Sequence, residues 1–248
     1  MIRVAVSGAG GKLAGAIIGA VTYAEDLELS ALFNPNRGGK EIAGVPIAST
    51  HGEVVADVVV ETVEPIGVFG NLAEWRKAGF AAVVGTSGFT ADRLKRLREE
   101  WGDASPCLVV PNFSIGAVLM MRFAAEAASH FEAVEIVERH HADKPDAPSG
   151  TALASAMGIS EGGGVSATGS EEMVAGARGA DVHGVRVHSL RLPGVISQQE
   201  VALSNSGEIL SIEHLSTSYE SFAAGALHAV RSVQSLPGGV HFGLETVL

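Results

Sequence analysis

Histidine, lysine and a serine-glycine pair crowd into one stretch, EIVERHHADKPDAPSGTALASAM, where alternating apolar residues give way to a helical pattern. The pattern predicts a strand delivering His140 and His141, a short loop carrying Lys144, and a helix opened by Pro148, Ser149, Gly150 and Thr151. An imidazole and an ammonium this close can protonate a substrate undergoing reduction, and their mutual repulsion would lower both pKa values toward the working range. Ser149 suits a helix N-cap, which leaves the amides of Gly150 and Thr151 at the positive end of the helix, ready for a carboxylate. Two plainer readings compete. Paired histidines suggest a metal, but on a strand they point to opposite faces. Neither a nearby cysteine nor an H-x-x-x-H spacing completes a ligand set, so no metal is expected. A pair of exposed strand-end histidines stays open on these residues alone.

A second constellation, VAVSGAGGKLAG, sets Gly8, Gly10 and Gly11 between the first apolar run and the first helical pattern. Glycine there permits a tight turn and brings backbone N–H groups against a pyrophosphate at the helix N-terminus. The spacing departs from G-x-G-x-x-G, since Leu13 stands in the third glycine's place, although Ala14 and Gly15 are small enough for close helix packing. An ordinary turn explains an isolated cluster equally well; its place after strand one favours a dinucleotide. Where an NAD site offers an acid to the ribose hydroxyls, at the end of LELSALF, this chain has Asn34. An amide does not repel a 2′-phosphate, and Lys12 and Arg37 supply positive charge, so NADPH or NADH is expected, with NADPH slightly favoured. A simple Asn34-Pro35-Asn36 turn explains those residues nearly as well. VVGTSGFT and VVPNFSIG each follow a predicted strand, which points both turns at the nicotinamide half of a crevice.

These residues need elements to hold them. Up to Val110, short apolar runs (IRVAVSG, LELSALF, DVVVET, AAVVGT, PCLVV) alternate with helical patterns over 11–23, 67–78 and from 91, as a parallel sheet covered on both faces requires. After Pro111 an apolar helix over 115–130 leads into AVEIVERHH, then into polar alternation in VRVHSLRLPG, SQQEVALS and EILSIEHLS. That alternation predicts a second domain with an open, partly solvated mixed sheet. A helix over 216–235, with Phe222, Ala226, Leu227 and Val230 on one face, is stopped by PGG before a short tail, and the glycine-rich stretch 158–169 reads as a mobile loop.

Composition narrows the function classes. A chain of 248 residues that is 46% hydrophobic can bury a sizeable core, and 31 glycines without a fixed period rule out collagen-like sequence. A formal charge of −11 opposes nucleic acid, so an anionic cofactor must be held by local amides and a few placed cations. The single cysteine, Cys107, cannot form an internal disulfide, which suits a reducing compartment and makes a nucleophilic role unexpected. No apolar run approaches the ~18 residues of a membrane span, and the opening strand leaves no room for a signal peptide, so a cytoplasmic protein with no membrane partner is expected.

The string HHADKPDAPSGTA resembles the signature H-H-x-x-K-x-D-A-P-S-G-T-A of 4-hydroxy-tetrahydrodipicolinate reductases. GAGGKL, VVGTSGFT, PNFSIGAVLM, ARGADVHG, VHSLRLPG, QEVAL and the closing helix before PG fall in the same family's order. The resemblance implies an α/β fold: a Rossmann-type doubly wound parallel sheet over 1–113 and 217–248, plus an α+β substrate-binding and oligomerisation domain over 114–216, in a homotetramer. It implies hydride transfer from NAD(P)H to a small cyclic imine dicarboxylate with loss of water, in lysine and diaminopimelate biosynthesis. By position, Gly8, Ala9, Gly10, Gly11, Lys12, Leu13, Gly85, Thr86, Ser87, Val110, Pro111, Asn112 and Phe113 would line the cofactor, with Asn34 near the adenosine ribose. His140 would be the principal acid/base residue, Lys144 the second proton donor, and His141, Gly150 and Thr151 substrate contacts. The chain departs from the family pattern at Asn34, where an acid is common, at Glu61-Thr62-Val63 in place of D-F-[ST], at Gln198 in place of histidine, and in a short loop over 158–169. An amino-acid dehydrogenase of similar plan, or an impaired paralogue that senses dinucleotide, remain the competing functions.

Overall fold

A computed structural model of the protein describes residues 1–167 and 169–248. In chain order the first elements are β1 (Ile2–Ser7), α1 (Lys12–Tyr23), β2 (Leu27–Phe33), β3 (Glu41–Ile42), β4 (Val45–Ala48), β5 (Val58–Glu61), α2 (Val68–Ala78), β6 (Ala81–Val84), α3 (Ala91–Trp101) and β7 (Pro106–Val109). There follow α4 (Ile115–Ala127), β8 (Ala133–His140), α5 (Gly150–Glu161), β9 (Ala180–Val182), β10 (Val185–Arg191), β11 (Ser197–Asn205), β12 (Glu208–Ser216), α6 (Ser221–Val233) and β13 (Gly239–Phe242). They form two compact units, Met1–Ile115 with Tyr219–Leu248, and Gly116–Ser218.

The first unit is an open sheet in the order β13-β7-β6-β5-β1-β2-β4-β3. Every pairing in it is parallel except the short edge hairpin β3–β4. Parallel strands need helical crossovers and are buried on both faces, which is why VVVE of β5 and AAVV of β6 are wholly inaccessible. Ala5, Val59, Ala82, Val84, Cys107 and Val109 pack on one face with Leu72 and Trp75 of α2 and Leu97 and Trp101 of α3. Strand alternation sends Val4, Val6, Val58 and Val60, all fully buried, to the opposite face. Each such side chain contributes about 1.5–3 kcal/mol through its removal from water. The chain leaves β1 toward β2 on one side and returns as β5 on the other, so strand order reverses between β1 and β5.

The closing segment does more than the short tail expected of it. Its residues Gly239 to Phe242 form β13, paired in parallel with β7 from Gly239↔Pro106 to Phe242↔Val109. Ahead of it, α6 buries Ala223, Gly225, Ala226, Ala229, Val230 and Val233, a stripe that includes Ala226 and Val230 of the expected face but centres on smaller residues. Phe222 and Leu227 are only partly covered.

The second unit is a five-stranded sheet in the order β12-β11-β8-β10-β9, with β8 and β10 parallel and the remaining pairs antiparallel. Ile136, Val187, Val201 and Leu203 bury one face against Ala152, Ala156 and Ile159 of α5 and Ala124 and Ala128 beside α4. The stretch 158–169, read from sequence as a loop, begins as the last turn of α5, since the helix runs to Glu161. Thr168 lies outside the described residues.

Candidate active site

Strand β1 ends at the point where sheet order reverses, and open α/β sheets bind ligands in that crevice. There the chain turns through Gly8 and Gly10 with φ of +87° and +100°, a region that strains any residue bearing a Cβ. Space adds to this at Gly8, where a Cβ would lie 2.7 Å from Thr62 Oγ1 and 3.2 Å from the Thr62 carbonyl carbon; at Gly10 the nearest neighbour is the flexible end of Arg37, so φ alone argues for glycine. Gly11 is the N-cap of α1 and offers no side chain to the helix amides. The turn is thus a bare backbone cradle at a positive helix end, a fit for the diphosphate of a dinucleotide.

The neighbouring turns close around it. Asn34 donates from Nδ2 to the carbonyl of Ala9 at 2.8 Å while its Oδ1 accepts from the Asn36 amide at 3.0 Å, so this side chain both forms the expected turn and ties β2 to the glycine cradle. Lys12, exposed, stands over the ring of Tyr219 at 5.7 Å. Gly85 is covered by the ring of Phe113, whose Cε2 would lie 2.4 Å from an added Cβ, so the turns after β6 and β7 meet directly. Thr86 is buried and donates to the Val63 carbonyl at 2.8 Å, Val110 donates its amide to Val84, and Asn112 Oδ1 accepts the Ser114 amide. Leu13 is partly buried, and Ser87 and Pro111 are exposed.

Beneath this crevice lies an acid whose role the sequence did not disclose. Glu61, fully buried, accepts from Trp75 Nε1 at 2.8 Å, Asn71 Nδ2 at 3.0 Å and the Val63 amide at 3.1 Å. Burial pushes its pKa up, against the pull of these donors. The departure at Glu61-Thr62-Val63 therefore places a longer acid in a built receptor, and Thr62 holds the Ser7 carbonyl at 2.6 Å just before the glycine turn. Burial likewise pushes the Cys107 thiol up, far from the range of a nucleophile.

In the second unit, β8 carries the histidine pair. Ile136, Glu138 and His140 share one face of that strand by alternation, the face covered by α5. Glu138 is completely buried, and its Oε2 lies 2.5 Å from His140 Nδ1. His140 is largely buried, and its pKa falls, first through loss of solvent and then through Lys144 and Arg191, although Glu138 pulls it up. The plain reading of an exposed strand end does not describe the surroundings of this residue. Lys144 donates to both oxygens of Asp146, at 2.7 and 2.9 Å, in the loop after β8. Ser149 caps α5 as expected, accepting the Ala152 amide at 3.2 Å, which places Gly150 and Thr151 in the first turn. His141 lies just beyond the strand, partly exposed.

Sequence reading did not find Glu138 and Arg191. The signal for the first was present: E-x-H on a strand puts both side chains on one face. Nothing local marked Arg191, which reaches Glu138 because β10 pairs with β8 so that Arg191 stands opposite His140 in the register.

A parallel sheet with a glycine cradle at its reversal point, joined to a unit bearing an acid-paired histidine and a capped helix start, defines a two-unit nicotinamide-dinucleotide oxidoreductase. The chain belongs to the dihydrodipicolinate reductase family: residues 2–113 match that family's N-terminus and residues 116–248 its C-terminus. A relative from Nocardia farcinica named 4-hydroxy-tetrahydrodipicolinate reductase is 47% identical, the match covering 100% of this chain and 98% of that one. One of the same name from Streptomyces coelicolor is 44% identical with the same coverage. Among solved structures, a dipicolinate-bound dihydrodipicolinate reductase from Paenisporosarcina sp. TG-14 superposes with a TM-score of 0.86 at 33% identity, covering 100% of both chains. An amine dehydrogenase from Mycobacterium smegmatis, 11% identical with a TM-score of 0.62 over 96% of this chain and 94% of its own, shares the fold alone.

Proposed function

We propose that the chain is a 4-hydroxy-tetrahydrodipicolinate reductase, acting on a small cyclic imine dicarboxylate in lysine and diaminopimelate biosynthesis. Family membership over the whole chain supports this reading, and the observation that carries it to particular residues is the Glu138–His140 hydrogen bond at the end of β8, followed in the chain by Lys144 and the Ser149-capped start of α5. Bound NAD(P)H supplies the hydride that enters the ring carbon from which the 4-hydroxyl leaves as water. The rest falls to side chains of this protein. Loss of water takes a proton from the neighbouring ring carbon and gives one to the departing hydroxyl, and the enamine left after hydride delivery takes up one more; side chains must move these protons. His140 serves as principal acid/base residue and Lys144 as second donor. The first amides of α5, at Gly150 and Thr151, bind one carboxylate, with His141 as a further contact, and so orient the ring. The glycine cradle from Gly8 to Leu13, the paired turns at 85–87 and 110–113, and Asn34 hold the dinucleotide. Supplying the imine in situ from pyruvate and aspartate semialdehyde tests the reading, with oxidation of NADPH as the signal. Nucleotide binding without turnover would overturn it.

NADPH is the preferred donor in this account. No acid closes β2, and the Arg37 guanidinium lies near Gly10 at the glycine turn, which supports a cation within reach of a 2′-phosphate. A cytoplasmic homotetramer completes the proposal. Ile209 and Leu215 of β12 lie on the sheet face opposite α5 with 73% and 53% of their surface exposed, which suits burial against another copy.

A further inference from the structure

We infer that Glu138, pinned by Arg191, is the positioning residue that fixes the tautomer and orientation of His140. The inference rests on the acid/base role given to His140 above. Arg191 donates from Nη2 to Glu138 Oε1 at 3.0 Å and from Nη1 to Oε2 at 3.1 Å, a two-pronged grip on a carboxylate with no exposed surface. The same guanidinium donates to the Asp146 carbonyl at 2.6 Å, and Asp146 in turn pairs with Lys144. One arginine therefore ties the strand that holds His140 to the loop that holds the second proton donor.

An ionised carboxylate only accepts hydrogen bonds, so His140 must donate from Nδ1, and Nε2 is left as the atom that takes up or gives up a proton. Burial alone would raise the carboxyl of Glu138, but Arg191, Ser189 and His140 bring it below the ordinary range and keep it ionised. Glu138 has no exposed surface, so it acts through the imidazole. The charged groups facing His140 are Glu138 on its own strand, Arg191 from β10 and Lys144 from the following loop. Strand β11 sets Ser197 opposite His140 and Gln199 opposite Glu138, and α5 carries no ionisable residue before Glu161.

The test compares Glu138→Gln, Glu138→Asp and His140→Gln with the parent by steady-state kinetics across pH, together with an NMR titration of the His140 ring nitrogens. Without the carboxylate the imidazolium loses its counter-charge and binds its proton less tightly, so the alkaline limb of kcat/KM should move to lower pH. Glu138→Gln should lower kcat by ~10-fold or more with little change in substrate KM, and the Nδ1–H signature of His140 should be lost. Glu138→Asp keeps a charge for Arg191 and should recover part of the rate. A Glu138→Gln enzyme with parental kcat, pH profile and His140 titration overturns the inference. Should that variant not fold, Glu138→Asp decides the matter, since its side chain is one methylene short of His140: a parental rate and profile would overturn the inference. If His140→Gln itself turns over normally, the acid/base assignment is what fails; if it is impaired while the Glu138 variants behave as parent, only the present inference does.

Discussion

His140, Lys144 and Arg37 are placed so that single substitutions separate their contributions. His140→Gln and Lys144→Ala should each reduce kcat by about 10²-fold, the usual size of an acid/base contribution, and stopped-flow or steady-state NADPH oxidation reads this directly. Arg37→Met should lower the ratio of NADPH to NADH kcat/KM by ~10-fold or more, the loss of one charge-assisted hydrogen bond, and an unchanged ratio would move nucleotide selectivity elsewhere. Glu61→Gln replaces an acceptor with a donor among Trp75, Asn71 and the Val63 amide and should cost about 1–3 kcal/mol in chemical denaturation. At this scale the glycine turn, the histidine-lysine stretch and the Ser149 cap were all legible, because each has a short local spacing. Glu138 and Glu61 were not, since a buried acid looks in sequence like any solvated one until its partners from distant strands are known. Asn34 forms the turn that was one of its two readings, and its bond to the Ala9 carbonyl, which ties that turn to the glycine cradle, was not foreseen.

The doubly wound sheet was legible in the near-continuous apolar runs of β1, β5, β6 and β7, a composition only a strand buried on both faces tolerates. The second sheet showed itself through polar alternation. Short pieces escaped: β3, β4 and β9 have two to four residues, too few for a period to register, and β13 follows PGG where only a tail was expected. The stripe of α6 was half legible: Ala226 and Val230 are buried as expected, whereas Phe222 and Leu227 are only partly covered because close packing selected small residues. At Gly225 an added Cβ would lie 1.9 Å from the Phe113 carbonyl oxygen, so helix and turn are in backbone contact. Gly225→Ala should therefore push α6 off that turn, lowering stability by about 1–3 kcal/mol and raising the NADPH KM, measured by thermal melting and kinetics on the same preparation. On β12, Ile209→Lys should shift the protein toward smaller species in light scattering if that face meets another copy.

The molecule as a whole should be acid-sensitive. Asp57, held by Arg3, Glu138, held by Arg191, Ser189 and His140 against its burial, and Asp146, held by Lys144, all have lowered pKa values. A lowered carboxylate contributes stability that is present above its ordinary pKa and lost as pH falls through the lowered one. His140 and His214, lowered mainly by burial, act in the same direction, since the unfolded chain takes up their protons first as pH drops below about 6.5. Glu61 opposes them, its raised carboxyl favouring the fold on the acid side. With the larger number of groups on one side, Tm should fall on acidification from neutral pH; a Tm that rises would mean that Glu61 dominates. The return of α6 and β13 to the nucleotide-binding sheet has a different consequence, one of timing. On the ribosome the first-made sheet cannot be finished until the last thirty or so residues, Tyr219–Leu248, have emerged, because they supply its outermost strand beside β7 and the helix packed on α1. Throughout translation of the intervening unit, β7 presents a bare hydrogen-bonding edge and α1 an uncovered apolar flank, the features by which nascent chains aggregate or recruit chaperones.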